Sequence, residues 1–309
     1  MSAQPPSGNA LLLVIDPAAR LTDGESVRVA RDVLSAGAQV KMVIPKSPEE
    51  LNRALEHRGR RQPVVVGDDR ALHRVVQMLH QRRELPDAAV AHVPVGVPAA
   101  LPVARALGLP TAAAPAARAV LAGAERRLDL LVDDRGGVVL GGVEIHSGAG
   151  RGATAEGGNS ATGTARWASV GRGARSFVRS LRVTLHGGHL PRLRVEADGI
   201  LLADLDRPVQ LISVSNACPP QVGNEAAPPA DGGSGDPDDG LVEVVVRQPS
   251  AQAPVRMCAR AVTITGRGFS YAADAVLTGP VRTRTWTVHP RAWRLTVPAP
   301  ARAPESADG

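Results

Sequence analysis

The sequence predicts an α/β plus β protein, with an N-terminal doubly wound parallel sheet followed by a C-terminal β-sandwich. Strand-length apolar runs alternate with amphipathic helical segments as far as Leu128. Beyond Leu128 that periodicity stops, and short β-type runs follow one another between Gly, Pro and Asp turns. The chain has 309 residues, which is enough for two domains. We expect these domains at 1–128 and 129–298, with a disordered tail at 299–309.

The predicted elements of the first domain alternate between strand and helix, and two helices follow the last strand. The strands are short and mainly apolar, and the first of them is a continuous apolar run typical of a buried strand. They lie at 11–15, 39–44, 63–66 and 89–95. The helices carry apolar residues at helical spacing. They lie at 25–36 (with Gly37 as C-cap), 48–57, 70–81, 101–107 and 113–122.

The second domain is predicted to be rich in short strands. They lie at 138–140, 192–197, 209–215, 241–247, 259–265, 281–288 and 293–297. Two stretches, 147–163 and 219–239, have the composition of loops or disordered segments. A predicted helix at 169–185 carries four arginines, which either form a solvated face or meet anionic lipid headgroups. They are Arg172, Arg175, Arg179 and Arg182.

Composition excludes several classes of protein. No apolar run approaches 18 residues, so we expect no transmembrane helix, and the N-terminus lacks the pattern of a signal peptide. Six aromatic residues in all argue against a stacking platform for nucleic acid. Two cysteines, Cys218 and Cys258, are too few for a disulfide framework or a zinc site. We therefore expect a reduced, cytoplasmic protein that can touch the inner face of a membrane, and a homodimer stays open.

Several segments, in this order and spacing, resemble the diacylglycerol kinase catalytic-domain family. The segment 211–216 is similar to the family's strand ending in Asn, here Asn216, and 236–241 is similar to its aspartate-rich turn. The segments 104–110, 123–130 and 261–275 extend the resemblance over nearly the whole chain. The family includes bacterial lipid kinases and sphingosine kinases and is distantly similar to NAD kinases. The resemblance implies ATP bound with Mg²⁺ between the two domains.

The family's first nucleotide motif, Gly-Gly-Asp-Gly-Thr, corresponds here to Gly67-Asp68-Asp69-Arg70-Ala71. The resemblance implies a nucleotide site at Gly67, Asp68, Asp69 and Arg70, with Asp69 acting near Mg²⁺-ATP. However, Asp68 places a carboxylate where a phosphate should approach, and Arg70 would be strained if its position needs a positive φ. The alternative is an ordinary helix start, with Asp68 or Asp69 as its N-cap.

Three further family motifs are also altered. The second phosphate motif keeps Gly96 but lacks its Thr, Asn and Asp, and the opening Asn-Pro-x-Ser-Gly motif is reduced to Asp16-Pro17-Ala18-Ala19. The general base of the family is the Glu of Asp-Gly-Glu, and Val276 stands at that position here. Valine cannot accept a proton, and loss of a positioned base typically costs 10²–10⁴-fold in rate.

The aspartate-rich turn resembles the structural Mg²⁺ site of the family. By position, Asp236, Asp239 and the main-chain carbonyl of Leu241 are its candidate ligands, and hard oxygen ligands are those that Mg²⁺ prefers. The alternative is a solvent-exposed acidic turn.

Two hypotheses of function follow from this sequence. In the first, the chain is a pseudokinase that keeps the fold and binds a lipid, a nucleotide or a protein partner in the interdomain cleft. In the second, it is an active ATP-dependent lipid kinase that phosphorylates a lipid hydroxyl with divergent site residues. The sequence favours the first, because the fold patterning persists while the phosphate-binding motifs do not.

Overall fold

The computed structural model describes residues 10–146, 190–216, 218, 237–274 and 276–299. Several sequence predictions lie outside these residues. They are the loop at 147–163, the helix at 169–185 with its four arginines, most of the stretch 219–239 including Asp236, and the tail from 300 onwards.

The first part of the chain alternates strands and helices as predicted, except that the short helix at Pro17–Thr22 was not predicted. The strands are β1 (Ala10–Ile15), β2 (Gln39–Val43), β3 (Gln62–Gly67) and β4 (Ala89–Pro94). The helices are α1 (Pro17–Thr22), α2 (Gly24–Gly37), α3 (Pro48–Glu56), α4 (Asp69–Gln81), α5 (Pro102–Ala106) and α6 (Ala113–Ala122), with a 3-10 turn at Pro98–Ala100. Gly37 lies inside α2, and Ala38 is the C-cap.

These strands form a parallel sheet in the order β2-β1-β3-β4. Alternate residues of β1 enter two different cores: Leu13 packs with α1, α2 and α6, whereas Leu12 packs with α3, α4 and α5. Burial on both faces explains why β1, β3 and β4 are almost continuously apolar, whereas the edge strand β2 is partly exposed and contains Gln39 and Lys41. The predicted doubly wound sheet is confirmed.

The rest of the described chain is mainly antiparallel. Its strands are β5 (Ala124–Asp133), β6 (Val138–Val139), β7 (Gly142–His146), β8 (Leu193–Ala197), β9 (Ile200–Ala203), β10 (Leu211–Ser215), β11 (Val242–Arg247), β12 (Val255–Ala259), β13 (Ala261–Ala273) and β14 (Val276–Val297). The order β12-β11-β10-β7-β13-β14 continues the sheet. A third core fills this region, and within it Tyr271 and Trp286 pack edge to face with ring centroids 5.0 Å apart.

Strand β14 joins the two regions. Its first half pairs antiparallel with β13, and its last residues pair parallel with β4, where Arg294 lies opposite Ala89. The sequence predicted two strands here, at 281–288 and 293–297, and this was wrong. An irregularity between His289 and Trp293, with Arg291 at φ 51°, absorbs Pro290 without ending the strand. The prediction also missed β5, β7, β9 and β12.

The two cysteines are paired. Cys218 and Cys258 form a disulfide with their Cα atoms 5.9 Å apart, which links the end of β10 to β12. The sequence predicted reduced cysteines, and this pairing contradicts that prediction. Among the described residues, no helix is both long and apolar enough to cross a membrane.

Candidate functional site

The candidate site lies at the carboxyl edge of the parallel strands. Because β1, β3 and β4 are parallel, the residues that follow them, Asp16, Asp68 and Gly96, meet at one edge of the sheet. The turn between β6 and β7 and the end of β13 face this edge. A Cβ atom built on Gly141 in that turn would lie 3.0 Å from Val103 of α5 and 3.3 Å from Asp274.

Asp68 begins α4. Its side chain accepts a hydrogen bond of 3.0 Å from the backbone N–H of Ala71, which makes it the N-cap of the helix. Burial raises the pKa of this carboxyl, and the nearby carboxylate of Asp16 raises it further. The interpretation of this motif as an ordinary capped helix is confirmed for Asp68. The end of the helix that would receive a phosphate is occupied by the chain's own carboxylate.

Asp69 is only 5% exposed and points away from α4. Its two carboxylate oxygens accept hydrogen bonds from the backbone N–H groups of Val103, at 2.6 Å, and Ala104, at 3.2 Å. It therefore caps the first turn of α5. Burial raises the pKa of Asp69 from 3.8 to about 6, against the lowering effect of these two hydrogen bonds.

Asp274 holds the opposite side of the site. Its carboxylate accepts hydrogen bonds from three consecutive backbone N–H groups, those of Leu140 (2.6 Å), Gly141 (2.7 Å) and Gly142 (3.2 Å). Three such groups form an anion-binding concavity, and here a side chain fills it. Burial raises the pKa of Asp274, and the neighbouring charge of His73 lowers it. The backbone of Asp274 is left-handed, with φ 45°.

Asp16 completes the group. It caps α1 through the N–H of Ala18 at 3.3 Å and forms an ion pair with Arg74 at 3.2 Å. The charges of Asp16 and Asp68 act on each other, as do those of Asp68 and Asp69 and those of Asp69 and Asp274. We call these four residues, Asp16, Asp68, Asp69 and Asp274, the carboxylate cluster.

The other predicted nucleotide residues lie beside this cluster. A Cβ atom on Gly67 would lie 2.8 Å from the Cβ of Asp16, and one on Gly96 would lie 3.4 Å from the Cβ of Asp68. The structure thus brings together all the residues of the predicted nucleotide site. Arg70 lies in the first turn of α4 and is absent from the described non-glycine residues with positive φ, so the expected strain does not arise.

The predicted position of the general base is held by an apolar side chain. Val276 is the first residue of β14, opposite Ala273, and is 43% exposed. Its neighbour Leu277 is 64% exposed. Neither side chain can accept a proton from a hydroxyl group.

The aspartate-rich turn is organised by a residue that the sequence analysis missed. Asp129 of β5 is 1% exposed, and its carboxylate accepts hydrogen bonds from Gly240 N–H at 2.5 Å and from Arg291 N–H at 2.7 Å. Its carbonyl accepts hydrogen bonds from Asn216 Nδ2 and from Trp293 Nε1, each at 3.1 Å. The only sequence signal was an acidic residue inside an apolar run.

The described residues of this turn do not by themselves complete a magnesium site. One carboxylate oxygen of Asp239 accepts a hydrogen bond of 2.8 Å from Leu241 N–H, and Asp238 lies 3.7 Å from Arg126. Within the described ranges, no three His, Cys, Asp or Glu side chains are arranged to hold a metal ion. Asp236 is not among the described residues, so the Mg²⁺ site stays a prediction.

A parallel sheet with helices on both faces, a carboxyl-edge site and a returning β14 define a two-part α/β fold. Solved structures share it. A diacylglycerol kinase from Bacillus anthracis str. Sterne aligns with a TM-score of 0.65 at 14% identity, covering 96% of this chain and 98% of that one. Two structures from the same organism, whose diacylglycerol kinase assignment is provisional, align with TM-scores of 0.68 at 13% and 14% identity. They cover 94% and 98% of this chain, and 97% and 100% of their own.

The chain therefore has the diacylglycerol kinase fold, as the resemblance implied. No family model and no curated protein matches the sequence.

Proposed function

We propose that this chain is a lipid kinase-family protein that has lost phosphoryl transfer and acts as a pseudokinase, binding a ligand in the former catalytic cleft. The proposal rests on one observation. The aspartates of the carboxylate cluster accept hydrogen bonds from the backbone N–H groups that could otherwise bind an anion. The N-termini of α1, α4 and α5 and the turn at 140–142 are each capped by one of its aspartates. A phosphate group would have to displace a tethered carboxylate at each of these positions.

Electrostatics support the same proposal. A nucleotide triphosphate carries several negative charges, and it would approach four aspartates. Arg70, Arg74 and His73 lie near them, but Arg74 already pairs with Asp16. Like charges a few ångströms apart repel by about 1 kcal/mol in water and more where water is excluded. The cleft therefore favours a neutral or cationic group over a triphosphate. A lipid hydroxyl or a protein partner satisfies that requirement.

The alternative is an active ATP-dependent lipid kinase. It is favoured by Gly67 and Asp69, which match the family motif and lie at the carboxyl edge of β3. In this case Mg²⁺ would have to bridge the aspartates and the phosphates, and another group would have to replace the base lost at Val276.

An assay of radiolabelled γ-phosphate transfer from Mg²⁺-ATP to a total lipid extract distinguishes the pseudokinase from the active lipid kinase. For the pseudokinase we expect no labelled lipid above background from protein whose folding is verified by circular dichroism. A labelled lipid that disappears with the Asp69→Asn variant would establish the active kinase instead and would identify its substrate.

A second variant tests whether the carboxylate at the start of α4 is the reason that ATP is excluded. In Asp68→Gly the N-terminus of α4 loses its carboxylate cap, so ATP binding measured by calorimetry should rise at least several-fold over the parent. Arg105→Gln, on the exposed face of α5, is a control that leaves the cluster intact. If Asp68→Gly binds ATP no better than the parent, the carboxylate cap is not what excludes the nucleotide.

A further inference from the structure

A cavity lies at the edge of the parallel sheet opposite the carboxylate cluster. The first residues of β1, β3 and β4 line it, including Ala10, Pro63 and Ala89, whereas the carboxylate cluster follows the last residues of the same strands. With about six residues per strand, the two sites lie roughly 20 Å apart. The cavity encloses about 320 Å³. That volume is within the range of small-molecule sites.

Arginines dominate the charged lining of this cavity, which we call the arginine pocket. Its charged residues are Arg58, Arg60, Arg61, Arg294, Asp87 and Glu125. Arg294 is held at both ends of its guanidinium, by Glu125 at 2.9 Å and by the carbonyl of Asp87 at 2.6 Å. Arg58 is paired with Glu84. These contacts hold both guanidinium groups in place, although Glu84 also pairs with Arg82 at 2.7 Å.

The charges of the other two arginines, Arg60 and Arg61, are not neutralised by ion pairs with the described residues. Arg61 donates one hydrogen bond, to the carbonyl of Arg58 at 3.3 Å, and forms no ion pair with the described residues. Arg60 is exposed and has neither a hydrogen-bond partner nor an ion pair in the described part of the chain. Asp87 is the one lining carboxylate that is not in an ion pair there. Two consecutive arginines in the lining of one cavity, without ion-pair partners among the described residues, supply the charge that a dianion requires.

We propose that the arginine pocket binds a phosphate monoester. The planar fork of arginine matches phosphate oxygens in two-point hydrogen bonding, and the fixed neighbours reduce the ordering needed on binding. The volume leaves room for an organic group beyond the phosphate. This inference does not depend on the proposed function, because no residue of the pocket belongs to the carboxylate cluster.

Calorimetric titration with inorganic phosphate and with glycerol 3-phosphate tests the proposal at low ionic strength. The test variant is Arg60→Gln/Arg61→Gln. The matched control is Arg105→Gln/Arg118→Gln, which makes the same change of charge at two exposed positions outside the pocket. We expect the test variant to weaken binding at least tenfold and the control to change it less than twofold. The single variant Arg60→Gln removes no described contact and is therefore expected to fold like the parent. It should weaken phosphate binding several-fold.

Vesicles distinguish the two sources of a phosphate monoester. Retention on phosphatidylcholine vesicles containing phosphatidic acid, lost with the test variant only, supports the pocket and assigns the ligand to a lipid headgroup. Phosphate binding without vesicle retention supports the pocket and assigns a soluble ester. If the parent binds neither probe, or the two double variants behave alike, the proposal is wrong.

Discussion

Asp69 Oδ2 lies 2.6 Å from the backbone nitrogen of Val103, so the carboxylate that follows β3 holds the first turn of α5. This contact ties together the two chain segments that correspond to the family's phosphate motifs. In the described structure both oxygens of this carboxylate accept hydrogen bonds from the backbone of α5.

The pKa of Asp69 predicts a pH-dependent contribution to stability. Because burial raises this pKa from 3.8 to about 6, the folded state binds the proton more tightly than the unfolded chain does. The stabilisation is fully present below pH 3.8 and is lost as pH rises through 6. Its size is at most about 3 kcal/mol. The free energy of unfolding of the parent minus that of Asp69→Asn, from urea denaturation, should be larger at pH 4.5 than at pH 7.5. An equal difference at both pH values would contradict the expectation.

The pKa of His92 predicts a pH dependence of stability with the opposite sign to that of Asp69. It is fully buried in β4, with Nε2 3.0 Å from the carbonyl of Gly67, and burial lowers its pKa from 6.5 to about 4. The stability of the neutral form is present above pH 6.5 and is lost as pH falls towards 4, by about 3 kcal/mol at most. His92→Gln should remove this acid sensitivity in the same denaturation series. A His92→Gln protein that loses stability with acid as steeply as the parent would refute it.

Gly123 should not tolerate a side chain. A Cβ atom there would collide with the backbone carbonyl oxygens of Ala119 in α6 and Val297 in β14. Backbone cannot move aside cheaply, so Gly123→Ala should lower the free energy of unfolding by about 2–3 kcal/mol or more.

Gly24→Ala is the matched control for this substitution. No atom lies within 4 Å of its added Cβ, and the residue is helical, so thermal unfolding should show no loss of stability. Equal midpoints for the two variants would mean that β14 is not packed against α6 as described.

The disulfide should contribute measurably to stability. Cys218 and Cys258 close a loop across a sequence separation of 40, which corresponds to about 4 kcal/mol in the chain-entropy account. Reduction with dithiothreitol should therefore lower the midpoint of urea denaturation. The Cys218→Ser/Cys258→Ser variant should match the reduced parent and should not respond to the reductant. An unchanged midpoint on reduction would show that the pairing does not stabilise the fold.

The parallel region could be predicted because its information is local. Strands such as β3 are continuously apolar, and α4 begins at an aspartate that caps its own first turn, three residues along the chain. The predicted bounds of these elements differ from the observed ones by at most one residue at each end. The motif that carries Asp68 and Asp69 was correctly placed at the end of a strand.

Strand β14 shows where local information fails. Pro290 normally ends a strand, and the charged and polar residues around it gave no continuous apolar run. Only its partners β13, β5 and β4 make a single strand of 22 residues favourable, because they satisfy its backbone groups on both sides of the irregularity.

The sequence by itself determined the fold class, the order of the elements in the parallel region and the positions where the chain differs from the phosphate-binding and general-base residues of the family it resembles. The tertiary structure alone decided what the remaining carboxylates do. Asp274 caps a turn more than 130 residues away, and Asp129 holds two N–H groups that are 111 and 162 residues distant. No local pattern encodes such contacts, since they form only when packing removes these carboxylates from water and backbone donors replace the lost hydration.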